Sequence, residues 1–139
     1  MATTLGSVLH ERWTYRLIPI VTKWGERKHG EIDHYLAQVL SGHGCFRKYQ
    51  HRFKIDSDPS CPTCHPVDED VEHVIFQCPR FCPERKGLEQ ILGQRIRPDN
   101  LIDLMVVSQE KWNAVSEYCA TIIKKLRLEE RARKSQQQT

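Results

Sequence analysis

Cys61-Pro62-Thr63-Cys64-His65-Pro66-Val67-Asp68-Glu69-Asp70-Val71-Glu72-His73-Val74-Ile75-Phe76-Gln77-Cys78 is the stretch on which the fold turns. Its spacing is C-x2-C-x8-H-x4-C. A C-x2-C turn brings two thiolates onto one ion, and a neutral imidazole and a third thiolate complete four donors. Four nitrogen and sulfur donors close a tetrahedral site that suits Zn2+ and leaves no open position for catalysis. Bound metal adds roughly 10 kcal/mol or more of folding free energy to a loop with little core of its own. The expected ligands are Cys61, Cys64, His73 and Cys78. Two substitutes stay open: Cys82 could replace Cys78, and His65 could replace His73. His73 is preferred because Val71, Val74, Ile75 and Phe76 frame it with apolar side chains, turning Glu72 and Gln77 to water. Arg80 and Arg85 follow closely enough to offset the negative charge of such a site.

The rest of the chain fits a small helical domain around this insert. It has 139 residues, 39% of them hydrophobic, so one modest core is the limit. No apolar run approaches the ~18 residues that a membrane-spanning helix needs. Met1 to Gly6 lacks the pattern of a secretion signal, so a reducing, intracellular setting in nucleus or cytoplasm is expected. Clustered cysteines with an interleaved histidine then read as metal ligands rather than disulfides.

Hydrophobic periodicity predicts mainly α structure. Residues 5–24 read as a helix or turn broken at Pro19. Ile32, Tyr35, Leu36, Val39 and Leu40 have helical spacing, stopped by Gly42-His43-Gly44. A second helix is expected over about 45–54, with Cys45, Phe46, Tyr49 and Phe53 inside and basic residues outside. Val71 to Gln77 reads as a short helix, and Pro79 and Pro83 as a break and restart. Glu84 to Gln94 places Leu88, Ile91 and Leu92 on one face. A further helix after Asp99 buries Leu101, Ile102, Leu104 and Met105. Ser108 is the expected N-cap of the last helix, whose apolar stripe is Trp112, Val115, Tyr118, Cys119, Ile122, Ile123 and Leu126. From about 127 the sequence turns polar and is expected to fray. The resulting divisions are 1–55, a helical segment with a basic helix; 56–83, the zinc knuckle; 84–134, C-terminal helices; and 135–139, a disordered tail.

Charge is distributed unevenly around a formal net of +3. Arg47, Lys48, Arg52 and Lys54 form one basic cluster, and Arg80, Arg85 and Lys86 belong to another. These seven are the candidate nucleic-acid contacts, since Lys and Arg neutralise phosphates. Between them Asp68, Glu69 and Asp70 are consecutive rather than convergent, which reads as a solvated loop. Cys45 and Cys119 fall on apolar stripes as core residues. His29, His34, His43 and His51 share no ligand spacing. The chain contains no nucleophile elbow, phosphate-binding glycine loop or H-E-x-x-H motif, so it is expected not to be an enzyme and to take no small-molecule substrate.

Several ordered pieces resemble one family. They are Arg16-Leu17-Ile18-Pro19 with Trp24, Arg27, Lys28, His29 and Gly30; Tyr35-Leu36; and Leu40-Ser41-Gly42-His43-Gly44-Cys45-Phe46 with Tyr49-Gln50-His51-Arg52. The cysteine segment follows, through Glu72-His73-Val74 and Phe76-Gln77-Cys78-Pro79-Arg80-Phe81. Trp112-Asn113-Ala114-Val115-Ser116 closes the series. Together, over roughly 12–134, they resemble the C-terminal tail of reverse transcriptases of insect-type non-LTR (LINE-type) retrotransposons, in the clade with ribosomal-DNA-inserting and telomere-targeted elements. The resemblance implies a nucleic-acid-binding zinc knuckle on Cys61, Cys64, His73 and Cys78, downstream of a polymerase domain this chain lacks. His65 and Cys82 depart from the pattern.

The expected function is non-catalytic binding of RNA or DNA, in isolation from the polymerase domain. Phe46, Tyr49, Phe53 and Phe81 are candidates for base stacking or for the core. The alternative is a zinc-stabilised scaffold whose 98–126 helices dock on the polymerase domain or on a second copy through Trp112. A nuclease is disfavoured because a closed site offers no metal-bound water.

Overall fold

The computed structural model describes residues 13, 14, 16–18, 24, 25 and 27–137. Pro19 lies outside them. Among the described residues the architecture is mainly α, with no strand and an isolated antiparallel bridge between Ser60 and Asp68.

Helix α1 spans His34–Ser41. Asp33 caps it, its Oδ1 accepting the Leu36 N–H at 2.8 Å. Gly42 ends it with φ 74°, a left-handed stop that favours glycine. Helix α2, Arg47–Arg52, starts later than the 45–54 spacing predicts. Phe46 remains extended, and the first amides of α2 are satisfied from across the fold: Glu69 Oε1 accepts the Arg47 N–H at 3.1 Å and the Glu69 carbonyl accepts the Lys48 N–H at 3.0 Å. A tertiary partner therefore sets that boundary.

After the cysteine loop, His73–Gln77 is one π-helical turn and Pro79–Phe81 a 3-10 turn. The latter runs straight into α3, Cys82–Leu92. Pro83 therefore does not break the chain. It occupies the first helical turn, where its missing N–H costs nothing. Leu88 and Leu92 face inward, but Ile91, expected beside them, is 56% exposed. Helix α4, Leu101–Met105, buries the four expected apolar residues.

Helix α5, Gln109–Gln137, is the spine against which α1, α3, α4 and the π-helical turn pack. Ser108 Oγ accepts the Lys111 N–H at 3.1 Å, the expected N-cap bond. The whole predicted stripe from Trp112 to Leu126 is buried. Gly30, at φ 95°, lies against the Trp112 ring, where an added Cβ would come within 2.4 Å of ring carbons.

Beyond residue 127 the chain does not fray. Glu129 accepts from Arg80, Glu130 from Gln50, and Arg133 pairs with Asp56 at 3.2 Å. These cross-chain partners hold α5 together through Gln137, past the start expected for a disordered tail.

Candidate metal centre

The loop entering the site is built from short polar turns. Asp56 Oδ1 accepts the Asp58 N–H at 3.1 Å, and Asp58 Oδ1 accepts the Ser60 N–H at 2.8 Å. The Cys61 N–H then donates to the Val67 carbonyl at 2.7 Å, and the Val67 N–H to the Cys64 carbonyl at 3.0 Å. This closes 61–67 into a tight lobe with Cys61 buried and Cys64 half-buried.

The other two donors come from the π-helical turn. The Cys78 N–H donates to the His73 carbonyl at 2.7 Å, a five-residue step. That step puts residues 73 and 78 over one another, which matches the H-x4-C spacing; π-type turns are frequent at functional sites. Two side chains pin the turn from outside. Tyr118 Oη donates to the Ile75 carbonyl at 2.6 Å. Arg85 donates through Nε to the same carbonyl at 3.1 Å and through Nη2 to the Cys78 carbonyl at 2.8 Å.

The ligand atoms of Cys61, Cys64, His73 and Cys78 all lie within 4.8 Å of one another. The Cys61 and Cys78 sulfurs are 3.7 Å apart. Two sulfurs bound tetrahedrally at ~2.3 Å to one ion sit about 3.8 Å apart, so the spacing fits a shared ion. His73 Nε2 is buried and has no hydrogen-bond partner. A buried ring nitrogen without a partner is costly, and a metal ion would satisfy it. The four residues thus could hold a metal ion. Cys82 and His65 are not part of the cluster: Cys82 starts α3, and His65 is exposed beside the cis His65–Pro66 peptide.

Protonation fits the same picture. Burial holds the His73 imidazole below its ordinary value, favouring the neutral form a metal requires. Burial pushes the Cys78 thiol up to about 11, against a hydrogen bond from the Arg80 backbone. Cys64 is also raised, by burial first and Cys61 second. A bound cation would release those protons.

The acidic stretch beside the site is not a solvated loop. Glu69 is 1% exposed. Its carboxylate accepts from Arg80 Nη2 at 2.7 Å as well as from the Arg47 N–H. Arg80 also donates twice to Glu129 on α5, at 3.1 and 2.8 Å. Sequence reasoning missed Glu69, because consecutive acids mask a single inward one. No local sequence signal marks it, because its partners lie 11 and 22 residues away.

The seven candidate basic residues separate into two groups. Arg47 is buried and grips Asp56 with Nε at 3.2 Å and Nη2 at 3.1 Å. Arg80 and Arg85 are both engaged by the contacts above, through both Nη atoms of Arg80 and through Nε and Nη2 of Arg85. Lys48, Arg52, Lys54 and Lys86 are exposed, with Lys48 3.5 Å from Asp68. Among the aromatics, Phe46 and Phe81 are core. Tyr49 is half-buried against the core, while Phe53, expected inside, lies at the surface, their ring centroids 5.0 Å apart. His43 stacks on Tyr49 at 4.9 Å, and the Arg52 guanidinium lies 5.6 Å from Tyr49 and 5.8 Å from Phe53.

Comparison with known proteins places this arrangement. No family model and no solved structure matches the chain. Three curated relatives do. The "Retrovirus-related Pol polyprotein from type-1 retrotransposable element R1 4" of Nasonia vitripennis is 28% identical over 86 residues, 62% of this chain and 22% of that protein. The corresponding "R1 2" protein of the same species is 30% identical over 82 residues, 53% of this chain and 20% of the relative. The "R1" protein of Bradysia coprophila is 31% identical over 70 residues, 50% and 7% respectively. The chain therefore spans a small part of each relative's length. These homologies and the Cys-Cys-His-Cys cluster agree with the retrotransposon tail that the sequence resembles: the homologues of this chain are Pol polyproteins of R1 retrotransposable elements.

Proposed function

We propose that the chain is a non-catalytic nucleic-acid-binding module folded around Zn2+ held by Cys61, Cys64, His73 and Cys78. Three thiols and an imidazole in a closed cluster favour zinc over hard cations, which take oxygen ligands. Four protein ligands leave the ion a structural role, so the module needs no chemistry of its own. The RNA-directed DNA polymerase activity belongs in this reading to a parent protein.

The observation that carries the binding reading is the shelf on α2. Phe53 is 56% exposed, half-buried Tyr49 lies tilted against it, exposed His43 stacks on Tyr49, and the Arg52 guanidinium lies near the Tyr49 and Phe53 rings. Exposed rings interleaved with cations are what unpaired bases stack upon, at about 1–3 kcal/mol per base. Lys48 and Lys54 flank the shelf on the exposed side of the same segment. A groove of about 280 Å3 adjoins it, lined by Trp13, Phe46 and Tyr49 among others.

The test is binding of a single-stranded RNA and a DNA oligonucleotide across a salt series, by anisotropy on the zinc-loaded chain. Affinity falling as salt rises, and falling at least tenfold in Phe53→Ala/Arg52→Ala, is expected. No binding to either polymer at low salt overturns the reading. The scaffold alternative loses its main support, because the 98–126 stripe is buried in this chain's own core, Trp112 included.

A further inference from the structure

A second basic surface lies away from both clusters that the sequence singles out. It is the groove of about 630 Å3 between the start of α1 and the far half of α5. Lys124, Arg127, Arg131 and Lys134 line one wall, with His34 and Tyr35 on the other. The four cations recur at three- and four-residue steps, so they share one face of α5. Ten residues of helix rise about 15 Å, long enough for the row of cations to meet more than one phosphate of a strand.

The state of these cations matters. Glu130, the acid in the wall, is neutralised from within the fold by Lys134 at 2.8 Å and Arg127 at 3.5 Å. Arg131 makes no hydrogen bond or ion pair among the described residues and is exposed. Lys124 contacts the Tyr35 ring at 5.2 Å, which leaves its ammonium donors available. The groove thus carries more positive charge than the fold consumes.

We infer that this groove is a seat for the sugar-phosphate backbone of a nucleic-acid strand. The inference rests on the proposed function and adds a second contact surface to it. A nucleic acid fits better than an anionic membrane. An interfacial helix needs an apolar face to insert. Here Ile122, Ile123 and Leu126 are spent in the core, and Leu128 stands exposed at 64% among cations. Tyr35 in the opposite wall offers a ring to a base or sugar beside the strand.

The test compares zinc-loaded wild type with Lys124→Ala/Arg131→Ala, and with the shelf variant Phe53→Ala/Arg52→Ala. Each is titrated with the same RNA and DNA oligonucleotides from about 50 to 200 mM salt. Metal content and thermal unfolding check that each variant is folded. Each lost phosphate contact should remove about 0.7–0.9 from the slope of log affinity against log salt, so the groove variant should lose about 1.4–1.8. If wild type binds and the groove variant keeps both slope and affinity, while the shelf variant weakens, the groove is overturned and the binding reading stands. If wild type binds neither polymer, both fall together. Binding to phosphatidylserine vesicles but not to oligonucleotides, lost in the groove variant, would assign the surface to a membrane and overturn the inference.

Discussion

Arg80, two positions after Cys78, donates to the buried carboxylate of Glu69 at 2.7 Å. Its other arm reaches Glu129 on α5. One guanidinium therefore ties the cysteine loop, the segment after it and the long helix. Glu69 extends the tie to α2 through the Arg47 amide. Burial raises the Glu69 carboxyl, and the hydrogen bond and charge of Arg80 oppose that rise. The pair is an interdependent unit in which neither charge has water to fall back on.

Removing one member is expected to be worse than removing both. Arg80→Ala leaves Glu69 buried without its cation and should cost about 3–5 kcal/mol. Adding Glu69→Gln should recover a substantial part, because the amide needs no counter-charge. Urea unfolding of the zinc-loaded proteins measures both. A single variant as stable as wild type, or a double variant no better than the single, would show that the network contributes little.

The second expectation concerns the cluster itself. Cys61→Ser and His73→Ala should each bind well under one zinc per chain, while Cys82→Ser and His65→Ala should keep full occupancy. Mass spectrometry under native conditions and a chromogenic zinc assay distinguish these sets. Binding should also release protons. Burial holds the Cys78 thiol at about 11, so near neutral pH it is protonated without metal and must lose its proton to ligate. Apparent zinc affinity should therefore rise with pH through the neutral range, and calorimetry in two buffers of different ionisation enthalpy should report the release. Unchanged zinc content in Cys61→Ser would remove that residue from the site.

Much of this architecture is readable from local pattern. The four ligands are separated by fixed spacings, and spacing is a sequence property. The stripe from Trp112 to Leu126 has helical period, so its burial against α1, α3 and α4 follows from amphipathicity. What local pattern cannot supply is the partner of a charge. Glu69 and Glu130 read as solvated acids, yet each is buried because a cation or amide from 11 to 80 residues away meets it. The same blindness made Arg47 look like a surface cation and made the end of α5 look frayed. Ile91 failed for a different reason. Positions 88, 91 and 92 all fall on a plausible apolar face, and the three-residue step to 91 turned outward while the four-residue step to 92 stayed in.

Arg47 and Arg52 lie five residues apart in one basic segment and should behave in opposite ways. Arg47 is held by two bonds to Asp56, a carboxyl kept below its usual range; burial opposes that lowering, and hydrogen bonds from Arg47 and the Asp58 amide produce it. Arg133 on α5 shares the same carboxylate. Arg47→Ala should therefore lower stability by about 2–4 kcal/mol, as loss of one partner from a buried charge pair does. Its nucleic-acid affinity, measured well below the melting temperature, should stay within twofold of wild type. Arg52→Ala should do the reverse: surface substitutions of this kind move stability by within about 0.5 kcal/mol, while the salt slope falls by about 0.7–0.9 for one lost phosphate contact. Chemical denaturation and salt-dependent anisotropy on both variants give the four numbers required. Equal losses of binding in the two would mean that the segment acts through its overall charge rather than through the exposed shelf. A loss of stability in Arg52→Ala as large as in Arg47→Ala would mean that its stacking on Tyr49 and Phe53 holds the fold instead of presenting a surface.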